Sequence, residues 1–329
     1  MEKEKQMKNR ILPALLLLPL LLTGCGGGPA PKAEPGEAVP VPSPSPEAEL
    51  PPSPAVPEEQ SPEPVPSPLL RAEEPADTEL VSVAHYFPDL AVDLRYAGQD
   101  NFTGQVIYSF HSPWLRYGTL KKLRAVQARL EPQGFRLLLW DAFRPAAAQF
   151  ALWEVVPDGR YVINPYAGHS GHSEGGTVDI SLAASDGSLP DLPSAFDEFS
   201  PRADRDYSDV SAEAAVNALL LQNAMEAEGF VGYYAEWWHY TDTDAYPWED
   251  LKSIVLPERS DSVYTPLCQE YISLRTAPDY AAPVIRRIGL GEKFYIIGFC
   301  GDFLRVVHRD TEGYVAAAYV QKAEEQQKT

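Results

Sequence analysis

Apolar and polar positions divide the chain into four textures. "ILPALLLLPLLL" (11–22) is a nearly unbroken apolar run, and from 26 to 78 apolar residues become sparse. Order begins near "LVSVAHYFPDLAVDLRY" (80–96). In 119–134, Leu120, Leu123, Val126 and Leu130 recur at three- and four-residue steps, which predicts an amphipathic helix with Thr119 as its cap and Gly134 past its end. "FRLLLW" (135–140) reads as a buried strand, and Pro145 suits the first turn of another helix. "SAEAAVNALLLQNAMEAEGF" (211–230) predicts a helix capped by Ser211 and stopped by Gly229, and "YYAEWWHYTD" (233–242) an aromatic strand. After about 256 the texture changes to short strands separated by Gly and Asp turns.

Helices and strands alternate too irregularly for a βαβ wind, so the expected fold class is α+β, followed by a small all-β barrel. The expected division is 1–24 as a signal segment, 25–78 as a linker, 79–255 as the first domain, 256–323 as the barrel and 324–329 as a polar tail. Half of the 32 prolines fall between Pro29 and Pro75. Such a stretch has too little to bury to offset its ordering entropy, and as an extended stalk it reaches roughly 150 Å.

Lys3, Lys5, Lys8 and Arg10 precede the 11–22 run, which is shorter than the about 20 residues of a membrane span. The pattern is that of an export signal. "LLTGC" resembles a bacterial lipobox, which implies cleavage before Cys25, a lipid on its sulfur and an extracytoplasmic, membrane-anchored protein. Of the 3 cysteines, Cys268 and Cys300 remain, as a disulfide of an oxidising compartment or as two buried thiols, and the disulfide is the expectation. A net charge of −20 argues against a nucleic-acid partner.

The chemistry concentrates in "GHSGHSEGGTVDIS" (168–181). As a strand, 177–181 turns Val178 and Ile180 one way and Asp179 the other, toward the polar side of a half-buried strand. A buried acid there needs a partner or a metal. Gly175 and Gly176, tolerant of positive φ, let the chain turn back so that His172 reaches Asp179. With His239 from "EWWHY" they make a two-histidine, one-carboxylate set, which suits zinc with one open position. His169 competes with His172 for this place.

"SGHSEGGTVDISL" resembles the Ser-x-His-x-x-Gly-x-x-x-Asp motif of VanX-type D-alanyl-D-alanine dipeptidases, zinc peptidases that share the hedgehog-like fold. The resemblance implies one Zn2+ held by His172, Asp179 and His239, with Ser170 in the substrate site and His169 outside it. "EWWHY" resembles that family's Glu-x-x-His, which makes Glu236 the general base. "LLLWDAFRP" resembles its strand-and-arginine motif, with Arg144 over the scissile bond. "FDEFS" implies Asp197 as the seat of the substrate's ammonium, and "RYAGQDNFTG" (95–104) resembles its first signature. A straight strand would turn Glu236 and His239 to opposite faces, so a bend at Trp237–Trp238 is expected. Residues 273–320 resemble bacterial SH3-like domains. The implied function is hydrolysis of D-Ala-D-Ala in cell-wall peptide turnover, with peptidoglycan as a further partner through the barrel. The alternatives are a D,D-carboxypeptidase acting on stem peptides and a non-catalytic wall-binding lipoprotein.

Overall fold

The computed structural model describes residues 70–323 with Gln269 excepted. The expected signal segment, Cys25, the linker up to 69 and the tail 324–329 lie outside the described residues. The first part of the fold contains β1 (Leu80–Ser82), α1 (Val83–Tyr86), β2 (Ala91–Val92), β3 (Trp114–Arg116), α2 (Tyr117–Leu130), β4 (Phe135–Asp141), α3 (Ala146–Val155), β5 (Thr177–Ala184), α4 (Ala212–Ala227), β6 (Phe230–Gly232) and β7 (His239–Asp242). A five-stranded sheet runs in the order β2-β4-β5-β7-β6, with only the β2–β4 pair parallel.

Why these segments take these forms is partly local. The apolar stripe of α2 is fully buried through Leu120, Leu123, Val126 and Leu130. It packs with Leu221 and Met225 of α4 against Val178, Ile180 and Leu182 of β5, which lie in the same core. Each buried aliphatic side chain contributes about 1.5–3 kcal/mol. Ser211 caps α4 as expected, its hydroxyl accepting from Ala214 N at 3.0 Å. Thr119 does not cap α2, which starts earlier at Tyr117; its hydroxyl is buried and donates to Asp242 at 2.8 Å.

β5 is covered on both faces rather than one, since Asp179 and Ser181 are as buried as their apolar neighbours. β7 is shorter than the expected strand and begins only at His239. Before it the chain turns, with Glu236 N bonded to Tyr233 O and His239 N to Glu236 O. This turn resolves the facing problem, and both Trp237 and Trp238 fill the core.

The second part is made by β8 (Val263–Pro266), β9 (Tyr271–Arg275), β10 (Val284–Gly289), β11 (Phe294–Cys300), β12 (Phe303–His308), β13 (Thr311–Ala316) and β14 (Val320–Lys322). Its sheet does not stop at the barrel. β11 pairs with β1, and β1 with β3, so strands of the first part extend the barrel's sheet. Residues 70–78, linker by composition, touch both parts: Glu73 N donates to Thr276 O at 2.8 Å beside the barrel, while Tyr117 donates to Glu74 at 2.8 Å in the first part.

A buried ion pair fastens the join. Arg305 Nε donates to Glu79 Oε1 at 3.1 Å, and Tyr314 donates to Glu79 Oε2 at 2.8 Å. Gly298 makes the approach possible, because a Cβ there would stand 2.6 Å from the Glu79 carboxylate. The expected disulfide is not formed: Cys268 and Cys300 are both free thiols. Cys300 ends β11, whereas Cys268 follows β8, and no strand pairing aligns them.

Candidate active site

The register of the five-stranded sheet builds the site. Asp141 at the end of β4 lies opposite Asp179 of β5, and Asp179 opposite His239 of β7. One row of side chains thus crosses three strands, on the face opposite Val178 and Ile180. His172 arrives from the loop before β5. There the chain makes a 3-10 turn over Gly171–Glu174, capped by the Ser170 hydroxyl accepting from His172 N. Gly175 follows in the left-handed region with φ +80°. Gly176 serves differently than expected: it is needed for space, since its Cβ would meet Tyr246 at 2.8 Å. Buried Arg116 holds the loop by donating to Glu174 O at 2.8 Å.

His172, Asp179 and His239 offer ligand atoms that all lie within 4.8 Å of one another. His172 Nε2 is 3.4 Å and His239 Nδ1 3.0 Å from the same oxygen of Asp179. His172 Nδ1 lies 2.9 Å from Ala142 O and donates to it, which leaves Nε2 as the acceptor aimed into the cluster. That Nε2 is buried and has no hydrogen-bond partner. A buried polar atom without a partner costs about 1–3 kcal/mol, so its orientation fits a metal. Burial opposes the charge of Asp179, but the two imidazoles hold its carboxyl well below the usual range. Two imidazoles and a carboxylate are a donor set that zinc accepts with a position left open.

The other expected residues gather around this set. Glu236 Oε2 is 3.5 Å from His239 Nδ1. Burial pushes the Glu236 carboxyl up to about 7, with His239 opposing. Arg144 Nη2 lies 3.9 Å from Asp179 Oδ2 and lines the same cavity of about 200 Å³. Asp197 and Ser170 line it too. Asp197 sits at φ 57°, strained for a residue with a side chain, and accepts from the Tyr96 hydroxyl at 3.1 Å. Burial first, and the charge of Asp179 next, raise its carboxyl well above the ordinary value. His169 is elsewhere, bonded to Glu174 at 2.7 Å and stacked on Trp248.

Several residues of the site were not anticipated. Asp141, fully buried, accepts from Arg144 at 2.7 and 3.1 Å and from the Tyr108 hydroxyl at 2.6 Å. Gln149 accepts from Arg144 Nη1 at 3.0 Å and donates to Ile163 O at 2.8 Å. Burial works against the Arg144 charge, but Asp141, Tyr108, Tyr96 and Asp179 together outweigh it and keep the guanidinium protonated. The signal for Asp141 was present, three residues before Arg144 in "WDAFRP"; Gln149 and Tyr96 carried none that spacing reveals.

A metal-ligand set beside a poised carboxyl and a clamped guanidinium defines the class of metal-dependent peptidases. Comparison narrows it. The D-Ala-D-Ala dipeptidase family matches residues 76–256, and the bacterial SH3 domain matches 270–321. The chain therefore belongs to the D-Ala-D-Ala dipeptidase family and carries a C-terminal bacterial SH3 domain. It is 38% identical over 163 residues to the D-alanyl-D-alanine dipeptidase of Escherichia coli K12, covering 50% of this chain and 84% of that protein. It is 36% identical to the D-alanyl-D-alanine dipeptidase of Streptomyces coelicolor, covering 45% and 84%. For the D-alanyl-D-alanine dipeptidase of Enterococcus faecium the identity is 32%, covering 46% and 85%.

Proposed function

We propose that this enzyme is a zinc dipeptidase that hydrolyses D-alanyl-D-alanine outside the cytoplasm, in cell-wall peptide turnover. Its family and the named activity of its relatives support the substrate. The observation that carries the dipeptide reading is Asp197. Its carboxyl is half-buried at the cavity wall with only a hydroxyl bonded to it among the described residues. A cationic ligand completes such a group, and a free α-ammonium is that cation. A longer peptide has a neutral amide at the same place and would leave the carboxyl uncompensated.

Zinc held by His172, Asp179 and His239 would supply an acidified water and polarise the peptide carbonyl. The protein's own residues do the rest. Glu236 accepts a proton from the attacking water and passes it to the departing nitrogen as the C–N bond breaks. Its poise near neutrality suits both transfers. Arg144 faces the carbonyl oxygen as negative charge develops, held in place by Asp141 and Gln149. Ser170, already the cap of the His172 turn, has a hydroxyl proton to offer the substrate. The lipobox-like "LLTGC" supports a membrane anchor at Cys25, and the SH3 domain supports contact with peptidoglycan. No helix among the described residues is long and apolar enough to cross a membrane.

The test compares D-Ala-D-Ala with its N-acetylated form and with an N-acylated tripeptide ending in D-Ala-D-Ala, with metal content measured on the same preparation. The expected result is one zinc per chain and hydrolysis of the free dipeptide alone. Preferential cleavage of the acylated peptides would make the protein a D,D-carboxypeptidase. Wall affinity without hydrolysis would make it a binding protein.

A further inference from the structure

We propose that Arg160 is the specificity residue that receives the substrate's C-terminal carboxylate; this rests on the dipeptidase reading above. The argument begins with charge. D-Ala-D-Ala carries an ammonium at one end and a carboxylate at the other, and the cavity must answer both. Its lining offers Asp197 to the ammonium. It presents two guanidinium groups, Arg144 and Arg160.

Arg144 is already committed. Its Nε and Nη2 donate to Asp141, its Nη1 to Gln149, and its side chain is 9% exposed. Arg160 is the opposite case, with a side chain 75% exposed. It donates through Nε and Nη2 to Asp158 two residues away, and its guanidinium lies over the Tyr161 ring at 5.2 Å. Among its bonds in the described structure, none uses Nη1. A planar fork with a free edge suits a carboxylate.

Direction agrees with charge. The central cavity adjoins two hollows. Asp197 and Phe102 are shared with one hollow. Glu236, Arg160, Tyr161 and Phe199 are shared with the other. Arg160 therefore shares a hollow with Glu236, and Asp197 does not. A dipeptide with its ammonium on Asp197 directs its departing residue toward Glu236, which must protonate that residue's nitrogen, and toward Arg160. The segment carrying Arg160 is fixed to the catalytic framework through Gln149, which bridges Arg144 and Ile163 O. A guanidinium reaching in from the rim answers the carboxylate while the remaining N–H groups of Arg144 serve the carbonyl.

The test measures Arg160→Met and Arg160→Lys on D-Ala-D-Ala and on its C-terminal amide. The amide's Ki as a competitor is read where it is not cleaved. The expected result is a KM about tenfold higher for the free acid in Arg160→Met with kcat within about twofold. Arg160→Lys should recover part of that loss, and the amide should not distinguish the wild type from either variant. An equal loss on acid and amide, or no loss on either, overturns the assignment while leaving the dipeptidase reading standing. A wild type inert toward D-Ala-D-Ala overturns that reading first, and this one with it.

Discussion

Two buried charged regions of this protein are built to opposite ends. At the join between the first part and the barrel, Arg305 has Glu79, Tyr314, Glu312 and the Glu73 carbonyl as partners. Glu79 in turn accepts from Arg305 and Tyr314. At the cavity, His172 Nε2 has no hydrogen-bond partner and Asp197 has one hydroxyl. Burial costs both regions solvation. The join recovers it within the fold, so it contributes to holding two parts together. The cavity leaves part of it outstanding, and a ligand recovers it on binding. Complete pairing marks architecture here, and incomplete pairing marks chemistry.

Breaking each region in turn sharpens the contrast, and the largest effect belongs to the cavity. Glu236→Gln keeps the shape of the side chain and removes the base. We expect kcat to fall by about 10²–10⁴. Metal content by elemental analysis and the thermal midpoint should stay unchanged; loss of the metal would instead make Glu236 a ligand.

Glu79→Ala should reverse that pattern. It strands Arg305 in the join, and removing one partner of a buried pair costs about 3–5 kcal/mol. The remaining partners of Arg305 place the expected loss near the lower figure, read as a fall in denaturant midpoint. The zinc content of the folded protein should be unaltered. A stability unchanged by this substitution would refute the structural role of the pair.

The smallest effect is a pH dependence. The His85 hydrogen bond above all, with Tyr86 and Arg305, holds the Glu312 carboxyl down to about 2 from its ordinary 4.5. A carboxyl lowered on folding adds stability above its unfolded value and loses it as pH falls from 4.5 toward 2. Glu312 is 36% exposed on its side chain, so screening reduces the gain to about 1 kcal/mol. Wild type minus Glu312→Gln, measured by unfolding at pH 6 and pH 3, should show the full difference at pH 6 and less than half of it at pH 3. A constant difference would mean that Glu312 acts through packing.

What could be read before the structure follows the range of the interactions. The candidate metal set was legible in part because His172 and Asp179 lie in one short segment and the strand period fixes which way Asp179 points, while the choice of His172 over His169 came from the family resemblance. The helix periods were legible because one buried stripe repeats locally. Thr119 misled because the same hydroxyl that caps a helix also satisfies a buried acid from β7, Asp242. The strand expected over 233–242 was too long because aromatic content resembles strand while the chain turns to deliver Glu236. Gln149 and Tyr96 act only through contacts set by the tertiary fold. The pairing of β11 with β1 joins residues more than 200 positions apart, and no periodicity records it. The cysteine pair was even in number, yet the topology never brings it into alignment.

The shared sheet has a mechanical consequence. Tension reaching Leu70 from the chain before it would meet the Glu73 backbone, bonded to Thr276 just past β9, and the Arg305 anchor first. The load would then pass to the short β1–β11 ladder, where Leu80 pairs with Phe299 and Val81 with Gly298. The row at Asp141, Asp179 and His239 lies on a different sheet, off that path. A pull on Leu70 would therefore strain the barrel's hem well before it disturbed the spacing of the ligand atoms.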